Sequence, residues 1–346
     1  MSSVIRITAG GNQAWAGRTT GGLDPLFPGG RATTNEKGNA RAVSEKSSNL
    51  KHMLHSAAPQ TGGWLAVVRW LPSRFLTGLA GRVAALNLPM PLRAPVLRLF
   101  GRSVGVDFSE IRDPLSSFAS IQDFFTRALV PGVRVIESAP DAVVAPCDGA
   151  WGASGQVEQG TLLQVKGRSY PLSELIADPA QVQHFEGGSY ATFYLSPRDY
   201  HRFHSPCEAW VRQAVHVPGS LWPVNRIGIE GVDGLFARNE RLVAQMYLRS
   251  THSETPHPDL YIVAVGAMLV GKVKLEFDDL TTRRVDGGSP VRTYSAPGIH
   301  LEKGAEWGHF EFGSTLVMVA APGRMKLDSR PPNALLRLGE RIGTLE

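Results

Sequence analysis

The sequence is poor in cysteine, lacks long apolar runs and, over one stretch, lacks acidic residues altogether. Of its 346 residues only Cys147 and Cys207 are cysteines, which excludes a disulfide framework and a cysteine-based zinc site and fits a reducing compartment. No eighteen consecutive residues are apolar, so a transmembrane helix is not expected. Residues 1–9 contain no apolar run long enough for a signal peptide.

The overall composition is that of a globular protein, with one exceptional region at the N-terminus. Hydrophobic residues make up 42% of the chain and charged residues 19%, which allows a large core. Residues 1–62 are rich in Gly, Ser, Thr, Asn and Ala and show no hydrophobic period, so we expect a disordered N-terminal extension there. We expect residues 63–346 to form the folded domain.

The acid-free stretch lies between Glu45 and Asp107, and prolines divide its second half, residues 63–105, into short predicted helices. Composition alone leaves two interpretations of these helices open. Apolar faces edged by arginine suit helices that lie in a membrane interface and meet anionic head groups. The same pattern suits a basic helical cap packed on the protein's own core. The arginines concerned are Arg69, Arg74, Arg82, Arg93, Arg98 and Arg102.

From residue 142 onward, short runs rich in β-branched and aromatic residues alternate with glycine and proline. The regular alternation of helices and strands that builds a doubly wound parallel sheet is not visible. The sequence therefore predicts an α+β fold, with a mainly antiparallel β core and helices gathered on the N-terminal side. The predicted strands cover residues 142–146, 189–195, 210–217, 241–248, 260–270 and 315–320.

Two segments carry residues suited to proton transfer. Asp148 sits in a Pro-Cys-Asp-Gly sequence, which alone indicates only a turn. His201 and His204 follow a predicted strand, and histidine is the side chain best suited to move protons near neutral pH. Taken singly, they could be ordinary surface or core histidines. No further ligand at a recognisable spacing supports a metal site.

The third segment is Gly313-Ser314, directly before the apolar run 315–320. Such a pair is commonly a simple bend, but glycine also permits strained backbone angles and leaves the carbonyl before the serine open to attack. Asp148, His204 and Ser314 could form a charge-relay triad, which is recognised by geometry and not by chain order. The Gly-x-Ser-x-Gly elbow of common lipases and esterases is absent around Ser314.

Residues 195–206 have the sequence Leu-Ser-Pro-Arg-Asp-Tyr-His-Arg-Phe-His-Ser-Pro, and residues 312–315 have the sequence Phe-Gly-Ser-Thr. With these blocks the chain, from about residue 64 to the C-terminus, resembles the bacterial type of phosphatidylserine decarboxylase. Phe312 stands where the family usually has leucine, and Cys147 where it often has alanine. Both changes are small and leave the resemblance intact. Further blocks agree in order at residues 124–127, 217–225, 235–241, 265–271 and 321–323.

The resemblance implies a proenzyme that cuts itself at Gly313-Ser314 into a β chain, residues 1–313, and an α chain, residues 314–346. By this resemblance His204, oriented by Asp148, takes the proton of Ser314, whose oxygen attacks the Gly313 carbonyl. Ser314 then becomes a covalent pyruvoyl group (pyruvate as the cofactor), which forms a Schiff base with the substrate amine and accepts electrons as carbon dioxide leaves. His201 is the expected proton donor to the product, phosphatidylethanolamine.

The resemblance also implies phosphatidylserine as substrate, a heterodimer of the two chains, and an anionic membrane surface as partner. It places the protein peripherally on the cytoplasmic side of the cell membrane, and neither a metal nor a nucleic acid is expected. A lipid substrate favours membrane-associating amphipathic helices within residues 63–105. Three alternatives remain: a serine hydrolase without self-cleavage, a non-enzymatic membrane-binding module, and a pyruvoyl decarboxylase acting on a soluble amino acid.

Overall fold

The computed structural model describes residues 81–164, 168–224, 226–248, 257–268, 272–282, 290–311 and 315–346. All of them belong to one compact unit, Gln60–Glu346. The predicted extension over residues 1–62 and the first part of the helical segment 63–105 lie outside the described residues. Phe312, Gly313 and Ser314 lie outside them as well. These predictions therefore stay predictions.

Strands dominate the described part of the chain. They are β1 (Ala142–Val144), β2 (Gly149–Gln156), β3 (Thr161–Leu163), β4 (Ser169–Pro171), β5 (Ser189–Tyr194), β6 (Arg202–His204), β7 (Ala209–Val217), β8 (Arg241–Tyr247), β9 (Leu260–Val265), β10 (Val273–Leu275), β11 (Val291–Thr293), β12 (Ile299–Leu301), β13 (Glu306–Phe310), β14 (Thr315–Ala320), β15 (Met325–Leu327), β16 (Leu335–Leu336) and β17 (Arg341–Leu345).

The described helices are short, apart from the first. None of them is long and apolar enough to cross a bilayer. The α-helices are α1 (Met90–Val104), α2 (Ile121–Phe125), α3 (Leu172–Ile176), α4 (Arg226–Gly231) and α5 (Leu235–Arg238), and 3₁₀ turns cover Phe108–Glu110, Leu115–Ser117 and Pro179–Phe185.

A nine-stranded sheet forms the centre of the fold. Its strands follow the order β11-β7-β8-β9-β14-β5-β2-β16, and β12 also pairs with β7. Two three-stranded sheets, β1-β17-β15 and β10-β13-β6, and the hairpin β3-β4 complete the strands. The ladders between these strands are antiparallel throughout, so the predicted α+β class with a mainly antiparallel core is confirmed.

The central sheet is buried on both faces, as β14 illustrates. Leu316 and Met318 belong to one buried cluster, which also contains residues of the two three-stranded sheets. Val317 and Val319 point to a second cluster, which is shared with α3, α5 and the β3-β4 hairpin. A strand covered on both faces has a continuous apolar sequence instead of an alternating one, which explains the run at 315–320.

A third buried cluster joins α1 to the rest of the described chain through Leu97, Val106, Phe118 and Phe124. The prediction that prolines break this region into short helices is wrong for α1, which contains Pro95 inside its fifteen residues. Pro95 lies on the exposed side of the helix, where water can satisfy the carbonyl that loses its hydrogen bond. The helix ends at Gly105, whose φ of 84° needs the left-handed region.

Candidate functional site

Strand register brings the segments around Asp148 and Thr315 to one edge of the central sheet. Thr315 is the first described residue after Ser314, and it pairs with Tyr194 on β5. Tyr194 pairs in turn with Ala150 on β2. Neighbouring strands lie about 4.8 Å apart, so two strand spacings separate Thr315 from Ala150. Asp148 precedes Ala150 by two residues and therefore lies at the edge where β14 begins.

The two predicted histidines reach this edge at the two ends of β6, His201 directly before the strand and His204 as its last residue. The backbone N–H of His204, at the end of β6, donates to the Pro146 carbonyl at 2.7 Å, two residues before Asp148. The N–H of Phe310, at the end of β13, donates to the His201 carbonyl at 2.9 Å. The structure thus gathers Asp148, His201 and His204 at the place where the chain arrives from β13 and leaves into β14.

Asp148 is a buried carboxylate held by three donors. Arg134 Nε donates to Oδ1 at 2.8 Å and Arg134 Nη2 to Oδ2 at 2.6 Å, while the Leu338 N–H donates to Oδ1 at 2.8 Å. Arg134 Nη2 also donates to Glu110 at 2.7 Å. Burial would lower the pKa of Arg134, but its hydrogen bonds to Asp148 and Glu110 outweigh burial and raise it. Asp148 is therefore fixed in direction beside a permanent cation.

His204 is oriented by a backbone carbonyl. Its Nδ1 lies 2.8 Å from the Gly304 oxygen, which can only accept, so Nδ1 carries the hydrogen and Nε2 is left with a lone pair. The Tyr200 hydroxyl lies 3.3 Å from that Nε2. Burial lowers the pKa of His204 to about 4, whereas the more distant charge of Asp148 favours protonation. His204 is thus a neutral imidazole whose basic Nε2 is contacted by the Tyr200 hydroxyl, and its described hydrogen bonds do not include Asp148.

His201 has a different setting. It is fully buried, its Nδ1 lies 2.8 Å from the Asp199 carbonyl, and its ring centre lies 4.0 Å from that of Phe125. Its Nε2 is buried and has no hydrogen-bond partner among the described residues. Burial lowers the pKa of His201 to about 3, so this ring is also neutral at pH 7. The geometry leaves Nε2 available to a group that the described residues do not supply.

Arg127 completes the setting of His201 and carried no role in the sequence analysis. Its Nη2 donates to the carbonyls of Arg198 at 2.8 Å and Asp199 at 3.0 Å, so Arg127 and His201 share one acceptor oxygen. Burial lowers the pKa of Arg127 to about 10. The only signal in the sequence was the Phe-Phe-Thr-Arg block at 124–127, in which Phe125 contacts the ring that Arg127 helps to hold.

Asn239 joins three of the blocks that carried the resemblance. Its Oδ1 accepts from the Trp222 N–H, and its Nδ2 donates to the carbonyls of Trp222 and Gly266, each at 2.9 Å. Gly266 follows Val265, which pairs with Thr315 on the side away from β5. The blocks at 217–225, 235–241 and 265–271 therefore meet at the same sheet edge, although they lie far apart in sequence.

Four further residues of the site were not identified from the sequence: Arg134, Glu110, Tyr200 and Gly304. Arg134 and Glu110 lie in loops and 3₁₀ turns with no periodic pattern, and Gly304 contributes only a carbonyl. Tyr200 stood inside the block at 195–206 without an assigned role. The structure places Asp148, His201 and His204 as one group, while Gly313 and Ser314 lie outside the described residues. The roles predicted for these five residues remain predictions.

One set of side chains elsewhere has the composition of a metal site. Ligand atoms of Glu276, Glu306 and His309 lie within 4.8 Å of one another. However, Arg202 Nη1 already pairs with Glu306 at 3.0 Å, and a cation at this position would have to compete with that guanidinium. Glu276 is exposed. We assign no role to this set.

Comparisons of the chain with known proteins agree on one family. The family model described as phosphatidylserine decarboxylase matches residues 121–344. A phosphatidylserine decarboxylase proenzyme of Anaeromyxobacter sp. is 41% identical over 283 residues, which are 81% of this chain and 97% of that protein. A protein of the same name from Myxococcus xanthus is 35% identical over 283 residues, 82% of this chain and 98% of its own. One from Bordetella pertussis is 39% identical over 277 residues, covering 78% and 90%.

Proposed function

The chain belongs to the phosphatidylserine decarboxylase family and is an enzyme of that kind, and we propose that a pyruvoyl group made from Ser314 carries its reaction. On this proposal the proenzyme cuts its own Gly313-Ser314 bond, and the mature enzyme converts phosphatidylserine to phosphatidylethanolamine. The observation that carries the proposal is the neutral, buried His204. Its Nδ1 is fixed on Gly304, and its backbone N–H donates to Pro146, two residues before Asp148, at the sheet edge where β14 begins.

His204 is the base of the self-cleavage. Its Nε2 accepts the hydroxyl proton of Ser314, and the serine oxygen attacks the Gly313 carbonyl carbon. The C–N bond between the two residues then breaks as His204 gives the proton to the departing nitrogen of residue 314, which leaves an ester. Loss of the Cα proton of residue 314 then eliminates Gly313 as a carboxylate and leaves a dehydroalanine. Water replaces its nitrogen, which leaves as ammonia, to give the pyruvoyl group. Asp148 assists at longer range, because its charge favours the protonated His204 that forms during the attack.

The described neighbours of residue 314 fit an uncharged carbonyl cap. Thr315 is fully buried, and its Oγ1 has no partner among the described residues. A buried hydroxyl without an acceptor is costly, so a carbonyl beside it would be stabilising. Once formed, the pyruvoyl carbonyl supplies an electron sink for the bond that breaks as carbon dioxide leaves. This fit supports the cofactor assignment.

His201 moves the proton in the decarboxylation. Because its Nδ1 hydrogen is held by the Asp199 carbonyl, only Nε2 can exchange a proton with the substrate. Nε2 delivers a proton to Cα of the head group after carbon dioxide has left, and it takes up that proton from solvent. An imidazolium with a depressed pKa is a strong acid, which favours that transfer. Decarboxylation consumes one proton overall, and the solvent proton carried by His201 supplies it.

The strand order supports a stable heterodimer after cleavage. β14, the first strand of the small chain, lies between β5 and β9 of the large chain, and its six residues are all buried. β17, near the C-terminus, pairs with β1. The small chain would therefore expose much of the core if it left. We expect the chains 1–313 and 314–346 to remain associated.

The surface of α1 supports a peripheral position on the cytoplasmic side of the cell membrane. Met90, Leu92 and Leu99 expose between 50% and 73% of their surface, and the helix has no acidic residue. Exposed apolar side chains interspersed with arginines suit an anionic bilayer interface. A lipid substrate must be reached at such an interface.

Denaturing electrophoresis with mass spectrometry of the small chain tests the proposal. The wild-type protein is expected to give two chains, with residues 314–346 carrying a pyruvoyl cap, whereas Ser314→Ala is expected to remain a single chain. A wild-type protein that hydrolyses esters but stays uncut would favour the serine hydrolase. Release of carbon dioxide from free serine but not from phosphatidylserine would favour a soluble substrate.

A further inference from the structure

A cleft of about 420 Å³ lies between α1 and the segment that follows it. Arg98 contributes from α1, and Phe108, Ile111, Arg112, Asp113 and Leu115 contribute from the following segment. The lining therefore combines two guanidinium groups with an apolar floor and a single carboxylate. None of these residues has a part in the reaction proposed above.

The cleft shares a wall with the candidate site. Phe108, Ile111 and Arg112 face the cleft, while Glu110 between them accepts from Arg134 at 2.7 Å, and Arg134 holds Asp148. The charge of Arg112 also interacts with Tyr200, whose hydroxyl contacts His204: the pKa of Arg112 is raised chiefly by Asp113 and to a smaller extent by Tyr200. One short stretch of chain thus separates the cleft from the catalytic residues.

The two guanidinium groups are available to an anionic ligand. Arg98 has no hydrogen bond or ion pair with any residue that the structure describes. Arg112 pairs with its neighbour Asp113 at 3.0 Å, but the side chains are 55% and 36% exposed. Exposed pairs of this kind contribute only about 0–1 kcal/mol, so a phosphate oxygen can compete for Arg112. Guanidinium groups are well suited to phosphate because they can donate two parallel hydrogen bonds.

The position of the cleft indicates which phosphate it would meet. Leu99, which follows Arg98 on α1, is 73% exposed, and Met90 is 71% exposed. An apolar helix surface of this kind fits the acyl boundary of a bilayer, which places the cleft at the level of the phosphodiesters. The apolar side chains of Phe108, Ile111 and Leu115 would then lie beside the glycerol ester and the first acyl carbons.

We propose that this cleft binds the glycerophosphate portion of the phospholipid substrate, with Arg98 and Arg112 on the phosphodiester. The inference rests on the proposed function, because it requires the head group to continue past Glu110 and Arg134 to the catalytic histidines. It predicts that the cleft recognises a feature common to glycerophospholipids, while the serine group is recognised beyond it.

A kinetic experiment tests the proposal with a short-chain phosphatidylserine dispersed as monomers, so that bilayer adsorption does not enter. Arg98→Gln and Arg112→Gln are each expected to raise KM about tenfold, as expected for loss of a charge-assisted hydrogen bond, with kcat and self-cleavage unchanged. Arg102→Gln is the matched control, since Arg102 is exposed on the same helix and lies outside the cleft. An unchanged KM in the double variant, or an equal rise in the control, would overturn the proposal.

A binding experiment on the uncut Ser314→Ala protein separates this proposal from the proposed function. Monomeric short-chain phosphatidylserine and phosphatidylcholine of equal chain length are expected to bind with similar Kd, and both about tenfold more weakly in the Arg98→Gln/Arg112→Gln variant. Glycerol phosphate without acyl chains is expected to bind less tightly than either lipid. Loss of lipid binding only in the Arg102→Gln control would contradict lipid binding in the cleft. Wild-type protein that binds but never decarboxylates would instead contradict the proposed function.

Discussion

The two histidines of the candidate site occupy pockets of different construction. The His204 pocket consists of His204, Gly304 and Tyr200: a carbonyl fixes the ring, and a hydroxyl contacts its basic nitrogen. The His201 pocket consists of His201, Phe125 and Arg127: a carbonyl again fixes the ring, but the basic nitrogen has no partner among the described residues. Both rings are neutral, so their surroundings and not their charge distinguish them. We infer that the His204 pocket serves self-cleavage and the His201 pocket serves the substrate.

Removal of His204 is the strongest test of the different roles of the two pockets. His204→Ala is expected to stop self-cleavage, because a general base contributes roughly 10²–10⁴-fold to such a step. Without cleavage no pyruvoyl group forms, so decarboxylation should be lost as well. Electrophoresis should show one chain of full length, as for Ser314→Ala. A normally cut His204→Ala protein would show that another group acts as the base.

Removal of His201 should separate the two reactions. His201→Ala is expected to cut at a nearly normal rate but to decarboxylate roughly 10²–10⁴-fold more slowly, since only the proton transfer to the substrate is lost. Carbon dioxide release, normalised to the amount of small chain, measures this. A His201→Ala protein that fails to cut itself would show that the His201 pocket also serves self-cleavage.

Asp148 tests whether a charge acts on the His204 pocket without direct contact. Asp148→Asn is expected to slow cleavage about tenfold, the effect of losing roughly 1.4 kcal/mol of favourable charge on the protonated ring. Glu110→Gln is the matched control, because it removes the other carboxylate bound to Arg134 and should leave the cleavage rate unchanged. Equal slowing in both variants would mean that Asp148 acts only by holding Arg134 and the local structure.

Substitution of Arg127 tests whether the contact to the Asp199 carbonyl positions His201. Arg127→Gln is expected to lower kcat for decarboxylation about tenfold, because one charge-assisted contact to the Asp199 carbonyl is lost, while self-cleavage stays normal. Arg127→Lys should restore part of kcat. A rise of KM with unchanged kcat, or a loss of cleavage, would contradict a role in positioning His201.

The last prediction concerns stability against pH. The pKa values of His201 and His204 are lowered to about 3 and about 4 by burial, whereas in the unfolded chain both bind protons near the ordinary value of about 6.5. Stability is therefore complete above pH 6.5 and falls as the pH decreases towards 4. Urea denaturation of uncut Ser314→Ala at pH 7.5, 6 and 5 measures this fall. In His201→Phe the fall should be shallower, and an identical fall would contradict a buried neutral His201.

The sequence predicted the strands that pack on both faces, because a strand buried on both faces has a continuous apolar run such as 315–320. It missed β2, where glycines hide the strand pattern. Gly152 is required there because a Cβ would lie 2.4 Å from the Tyr194 ring of the next strand. Such a contact depends on strand register, which composition does not contain.

The same limit applies to the site. Asp148, His201 and His204 were singled out because their blocks resemble a known family, and their roles stay predictions. Gly304 was not, since any residue can offer a carbonyl, and Arg134 was not, since an isolated arginine in a loop has no distinctive pattern. These partners are defined by tertiary contacts, and in the case of Gly304 and His204 the contact spans one hundred residues of chain. The hydrogen bonds that orient the predicted catalytic groups therefore emerged only from the fold.

The mass of the small chain, measured for the wild type, His201→Ala and His204→Ala side by side, tests the central claim most directly. The account predicts residues 314–346 with a pyruvoyl cap from the wild type and from His201→Ala, and no small chain from His204→Ala. A small chain that begins with an intact serine, or a pyruvoyl-capped chain from His204→Ala, would contradict it.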